Sequence, residues 1–271
     1  MVILISGATG GLGQVLGSYL QEQGETVYGT SRSPAAAQEK FPFPLLQLDV
    51  MEQQSVDACI TELVSREGHI DVLINCVNEM FIGSVEETDI DEVAALYDTN
   101  VFGVMRLCKA VAPVMKAQGN GTIVNMSSLG GLLAVPYMSA YTSAKFALEA
   151  FSEAFYQEMK PFNIHVSIMQ PVAMYMDRPA TGHHLRTVAG AGAGSLSHKM
   201  VKRMARDTAA SKLTPQLVSA KIYQVIRAER KPLRVPMDKA RAITLIKRFA
   251  PQALIDKLVG GLVKPGTGKQ E

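Results

Sequence analysis

Residues 1–17 read "MVILISGATGGLGQVLG". The apolar run Val2–Ile5 is too short for a buried helix and suits a strand covered on both faces, while the residues from Gly11 onward space their apolar positions as a helix does. Between them lies "SGATGGLG" (6–13), with Gly7, Gly11 and Gly13 in a GxxxGxG spacing. Glycines at such a strand-to-helix turn permit positive φ and let a phosphate approach the helix N-terminus, whose free N–H groups and dipole favour an anion. The loop therefore predicts a dinucleotide site in preference to a plain tight turn, with Gly7, Thr9, Gly11, Leu12 and Gly13 as cofactor-binding candidates.

The same alternation continues along the chain. Short apolar runs at 26–31, 45–50, 71–76, 122–127 and 165–170 are separated by helical patterns near 53–67, 89–117 and 139–159. Continuously apolar strands between amphipathic helices predict an α/β, doubly wound parallel sheet of Rossmann type, with ligands at the C-terminal ends of the strands. Beyond the sixth strand the glycine-rich "AGAGAGS" (189–195) and the basic "SHKMVKRMARD" (197–207) read as a substrate lid over 173–213. A helix opened by Thr214 and Pro215, a last strand at "LRVPM" and two amphipathic helices follow, the latter forming a C-terminal helical extension over 236–271. A single domain over 1–271 is expected.

Composition narrows the function. A net charge of +2, from 27 Lys and Arg against 25 Asp and Glu, carries no nucleic-acid signature. Cys59, Cys76 and Cys108 lack metal or redox spacing and read as buried small hydrophobes. The adjacent His183 and His184 have no third ligand at metal spacing, so no metal is expected. The N-terminal stretch lacks a basic n-region and no later stretch is apolar enough to span a bilayer, which makes cytoplasmic location the expectation. The basic C-terminal helices leave a membrane surface open as a secondary partner.

Two lysines follow a tyrosine by one helical turn: Lys145 after Tyr141, and Lys160 after Tyr156. The helix is bounded by Pro136 and Pro161, so the two tyrosines sit at its opposite ends, about 22 Å apart. Only Tyr141 falls near the ligand edge. Strand two ends "TSRS", where an acid would hold a ribose 2′-hydroxyl; Ser31 and Arg32 stand there instead and fit a 2′-phosphate, which points to NADP. Asp49, beside Val50, is placed to accept from an adenine amino group or to cap the next segment.

These residues, with Asn100 in "YDTNVFG", Ser128 in "VNMSSLGG" thirteen places before Tyr141, and "YTSAK", resemble the short-chain dehydrogenase/reductase family across nearly the whole chain, its hydroxysteroid and retinol dehydrogenase-like members in particular. The resemblance implies a catalytic set of Asn100, Ser128, Tyr141 and Lys145, cofactor contacts from Gly7 through Val50 and from Asn75 and Pro171, a lipophilic ketone or secondary alcohol as substrate, and a homodimer or tetramer. Ser128 would bind the substrate oxygen, Tyr141 would pass the proton, Lys145 would favour the phenolate together with an oxidised nicotinamide and would bond the nicotinamide ribose, and Asn100 would retain a water. The chain departs from the family pattern at Val77 and Asn78, at Val172 and at Met176, which puts nicotinamide anchoring in doubt. A ketoreductase for carrier- or CoA-bound acyl groups, using a basic rim of His198, Lys199, Lys202, Arg203 and Arg206, and a non-redox NADP sensor are the competing readings.

Overall fold

A computed structural model describes residues 1–175, 186–192 and 194–261, the Leu258 side chain excepted. Met176, His183 and His184 lie outside the described residues. The sheet is built from β1 (Val2–Ser6), β2 (Thr26–Ser31), β3 (Leu45–Gln47), β4 (Val72–Asn75), β5 (Gly121–Met126), β6 (Ile164–Gln170) and β7 (Arg234–Pro236). Their order is β3-β2-β1-β4-β5-β6-β7 and every pairing is parallel. Because the winding reverses between β1 and β4, the loops leaving these two strands diverge and open a crevice at the sheet's C-terminal edge.

Helices α1 (Gly11–Glu22), α2 (Pro34–Ala37), α3 (Gln53–Glu67), α4 (Ile90–Tyr97), α5 (Gly103–Gln118), α6 (Ser139–Met159), α7 (Leu196–Ala209), α8 (Pro215–Arg227), α9 (Lys239–Phe249) and α10 (Gln252–Gly260) complete the order. Alternate residues of β1 serve opposite layers, as a two-residue side-chain period requires. Val2 and Leu4 join Val56 and Leu63 of α3, Leu107 and Val111 of α5 and Leu148 of α6. Ile3 and Ile5 join Leu16 and Leu20 of α1 and Val218 and Ile222 of α8 on the other face. A third cluster, containing Phe81, Leu96, Met138, Tyr141 and Met200, lies apart from both layers.

Three boundaries differ from expectation. The third strand stops at Gln47, where the chain turns so that the Asp49 amide meets the Ser55 hydroxyl at 2.9 Å. Short helix α2, with Pro34 in its first turn, was not anticipated in the loop after β2. The helix expected over 89–117 is broken by a π-turn at Asp98–Phe102. Arg106 secures that turn, donating to Asp98 at 2.7 Å and to the Val50 carbonyl at 3.1 Å. One extra residue per turn rotates Asn100 inward, to complete burial.

The turn between β1 and α1 leaves no spare volume. Gly7 has φ +69°, and a Cβ on Gly13 would lie 2.4 Å from the Gly7 carbonyl oxygen and 2.7 Å from Ala8 Cα. Both are backbone atoms that cannot swing aside. Gly13→Ala is expected to cost about 1–3 kcal/mol through this overlap, read as a lower denaturant midpoint; an unchanged midpoint would mean that the turn is looser than described.

Candidate active site

A cavity of about 1000 Å³ occupies the crevice, walled by the loops after β1 through β6 and by α7. Gly7, Thr9, Gly11, Leu12 and Gly13 form one side. Gly10, just before α1, offers no side-chain cap, so the helix's first N–H groups keep their capacity for an acceptor. Gly7 does more than turn the chain: a Cβ there would stand 2.9 Å from the Val77 amide nitrogen, so the absence of a side chain lets the β1 and β4 exits touch.

Ser31 and Arg32 line the cavity at the end of β2. The Ser31 hydroxyl accepts from the Ser33 amide at 3.1 Å, and Arg32 is exposed. Asp49 and Val50 also line it. Asp49 accepts the Met51 amide at 3.0 Å, so its carboxylate serves as a local cap while one edge faces the cavity.

At the exit of β4 the Asn75 side chain turns away from the cavity. Asn75 is 1% exposed and absent from the lining; its amide nitrogen donates to Asn125 at 2.8 Å and its carbonyl accepts from the Ser6 hydroxyl at 3.4 Å. Asn125 continues the chain by donating to Ser152 at 2.8 Å. A strand's last residue can point to either face, and here it points under the cavity floor, where it ties β1, β4 and β5 together. The next residues, Cys76, Val77 and Asn78, provide the lining. Cys76 is therefore half-buried at the cavity and not an ordinary core cysteine, although burial pushes its thiol up to about 12 and keeps it protonated. Val77 also packs against the core between α3, α5 and α6, which relieves the crowding expected of it. The Asn78 carbonyl oxygen is buried with no partner among the described residues.

Ser128, Tyr141 and Lys145 converge on the opposite wall. Ser128 leaves β5 in an extended conformation, accepts the Gly130 amide at 3.1 Å and shares a hydrogen bond with the Tyr141 hydroxyl. Lys145, 2% exposed, donates to the Met126 carbonyl at 2.9 Å, and its ammonium lies 5.7 Å from the Tyr141 ring centroid. Burial lowers Lys145 to about 8, against the pull of Cys76 and Glu149. Tyr141 is raised, because burial outweighs the Ser128 hydrogen bond. The expected depression belongs to Lys145 together with an oxidised nicotinamide; in the protein alone the ammonium is committed to a carbonyl and the phenol is desolvated.

Asn100 does not line the cavity. It is completely buried, accepting the Glu79 amide and donating to the Glu79 carbonyl, both at 2.7 Å. It fixes the backbone of the loop after β4, and Glu79 itself is at the cavity. Pro171, by contrast, does line it, and its carbonyl accepts the Leu129 amide at 2.8 Å. Tyr156 is half-buried against the first core layer and is not part of the lining, so the two Tyr-Lys pairs are distinguished by place and by burial.

The sequence reading missed Glu149, four residues after Lys145 and 7% exposed at its side chain. It accepts from Gln170 at 2.9 Å and from Arg234 at 3.0 Å. Tyr141, Lys145 and Glu149 form one i, i+4, i+8 stripe on α6, a spacing that was visible in the sequence. Arg186 was also missed; it lines the cavity, lies 2.8 Å from Glu92 and 3.6 Å from Glu79, and covers the Phe81 ring. Helix α7 turns Met204, Ala205, Thr208 and Ala209 to the cavity, while His198, Lys199, Lys202 and Arg206 are exposed and Arg203 stands 3.7 Å from Asp207. Its start is bound to the loop after β4, where the Ser197 hydroxyl donates to Glu87 at 2.5 Å; hydrogen bonds from Ser195 and Ser197 bring that carboxyl down to about 2. Among the described residues no cluster of His, Cys, Asp and Glu could hold a metal.

Residues 1–181 match the short chain dehydrogenase family, and the chain belongs to that family of oxidoreductases. The 3-ketodihydrosphingosine reductase of Bacteroides thetaiotaomicron is 41% identical over 170 residues, which cover 63% of this chain and 62% of that protein. Retinol dehydrogenase 8 of Homo sapiens is 35% identical over 181 residues, 62% of this chain and 57% of that one. In both cases the matched region spans less than two thirds of the relative. A short-chain dehydrogenase from Streptomyces avermitilis superposes with a TM-score of 0.82 at 29% identity, covering 96% of this chain and 98% of that chain.

The buried Lys145 carries a testable cost. Its folded-state value of about 8 lies below the ordinary 10.5, so wild-type stability should rise as pH increases through that interval, where the unfolded chain holds the proton and the folded chain has released it. Lys145→Met, which also loses the Met126 hydrogen bond, is therefore expected to compare most favourably with wild type below pH 8 and progressively less so toward pH 10.5. Thermal denaturation of both proteins across that range checks it; a pH-independent difference would contradict the burial of a charged lysine.

Proposed function

We propose that this chain is an NADP(H)-dependent oxidoreductase that interconverts a lipophilic ketone and the corresponding secondary alcohol, with Tyr141 as general acid and base. The observation that carries this reading is the meeting of Ser128, Tyr141 and Lys145 in the same cavity as the Gly7–Gly13 loop and Arg32. The residues fit a dinucleotide: the α1 N-terminus has no side-chain cap, Gly7 keeps the crevice narrow, and the Arg32 guanidinium has no hydrogen bond or ion pair among the described residues. Such a cofactor supplies the hydride-transfer chemistry that no side chain can provide. The Gly11–Gly13 amides would hold its pyrophosphate and Arg32 its 2′-phosphate.

Ser128 and Tyr141 would then share the substrate oxygen, with Tyr141 moving the proton at that atom. Lys145 would bond a ribose hydroxyl and place positive charge beside the phenol, offsetting the burial that raises it. Asn100 acts through the Glu79 backbone and is a positioning residue in this scheme. Met80, Met138, Val172, Met174 and Met204 give the substrate side an adaptable apolar lining. That lining favours a free lipophilic compound, in keeping with two relatives named for 3-ketodihydrosphingosine and retinol. We read 1–271 as one domain, 173–213 as its lid and 236–271 as an extension, of which 176–185, 193 and 262–271 lie outside the described residues. The exposed cations of α7 are the feature that an acyl-carrier substrate would use.

Tyr141→Phe should lower turnover by roughly 10²–10⁴ while NADPH binding persists. Arg32→Ala should weaken NADPH by about 10–100-fold and leave NADH unchanged. Turnover of ketones and alcohols with each cofactor, alongside fluorescence titration, reads both. Full activity in Tyr141→Phe would leave a cofactor-binding sensor as the better account, and a wild-type preference for NADH would overturn the role of Arg32.

A further inference from the structure

Helix α9 turns its larger apolar side chains toward solvent. Ala242, Leu245, Ile246 and Phe249 recur at i, i+3, i+4 and i+7, the spacing of one helix face, and all four are exposed. Leu245 is 62% and Phe249 76% exposed, and α10 adds Leu254 at 47%. The helix is nonetheless anchored on its other side. Ala240 is completely buried, and Lys247 donates to the Leu132 carbonyl while its ammonium lies 4.6 Å above the Phe146 ring.

The stripe has a charged border. Lys239, Arg241, Lys247, Arg248 and Lys257 outnumber the single acid Asp256 across both helices, so this stretch is more positive than the whole chain, whose net charge is +2; with Lys247 taken up by the anchored side, Lys239, Arg241 and Arg248 flank the α9 stripe. The Arg248 guanidinium lies 5.6 Å from the ring of Phe249, the most exposed of these apolar side chains. A stripe one helix wide, apolar along its crest and cationic along its flanks, matches the boundary between acyl chains and phosphates in a bilayer. No helix among the described residues is long and apolar enough to cross a membrane, so the contact would be peripheral.

We propose that α9 and α10 dock the protein onto an anionic phospholipid surface, with Leu245, Ile246, Phe249 and Leu254 entering the acyl region and the flanking arginines and lysines held by phosphates. The position suits the cavity. Helix α9 starts just after the C-terminal end of β7, and Lys247 reaches the loop that leaves β5, so the stripe belongs to the same edge of the sheet as the cavity.

The test uses the full chain in co-sedimentation with phosphatidylcholine vesicles and with vesicles containing phosphatidylserine, at low and high salt. Binding should require phosphatidylserine and weaken with salt. The double variant Arg248→Gln/Lys257→Gln should lose roughly fivefold in partitioning per cation removed. Leu245→Ser/Phe249→Ser should abolish binding while melting temperature and turnover, both independent of this exposed stripe, stay as in the wild type. Absence of binding to anionic vesicles, or undiminished binding by the serine variant, overturns the proposal. So does a wild-type oligomer that the serine variant converts to monomer without any vesicle binding, since the stripe would then be a contact between copies of this chain.

Discussion

A single hydrogen bond, from the buried Lys145 ammonium to the Met126 carbonyl, organises the candidate site. An ammonium removed from water must find acceptors or lose its proton, and this one is 2% exposed. The bond secures the second turn of α6 against the last residue of β5. Tyr141, one turn earlier, is thereby held beside Ser128 just after that strand ends, next to the crevice opened by the divergence of β1 and β4. Glu149, one turn later and itself held by Gln170 and Arg234, opposes the burial that would deprotonate the lysine. Through Arg234 the sheet's last strand thus supports Glu149 on α6.

Much of this was legible in the residues. Apolar runs of strand length between amphipathic helices identified the parallel sheet, and the glycine pattern located its first turn. Two equivalent Tyr-Lys pairs were separated by asking which helix end met the ligand edge. The π-turn at Asp98–Phe102 was hidden because one additional residue barely disturbs a helical hydrophobic pattern. The face taken by Asn75 was hidden for a related reason: a strand's final side chain is assigned by where the ladder stops, and β4 stops one residue before Cys76. Tyr141's raised value illustrates a different limit. Helical spacing reveals that Lys145 is a neighbour, whereas desolvation depends on everything else packed around the phenol.

The departures from the family pattern also take on physical meaning. Val77 presents its amide to Gly7 and packs its side chain on the core, and Val172 packs against the layer under α1 and α8. Neither bulk is spent entirely on the cavity. Asn78 brings a buried acceptor without a partner among the described residues, a costly feature unless something bound there donates to it. Around these polar groups the lining is rich in methionine, and the exposed stripe of α9 belongs to the same edge of the sheet. An apolar substrate and a lipid surface are consistent with each other chemically.

The most direct measurement is an ultraviolet difference titration of Tyr141 ionisation, taken as wild type minus Tyr141→Phe, with and without saturating NADP⁺. Burial should hold the phenol above its ordinary 10.0 in the protein alone, and the oxidised cofactor beside Lys145 should bring it down toward neutrality. A titration that does not move when the cofactor binds would contradict the assignment of Tyr141 as the group that exchanges a proton with substrate.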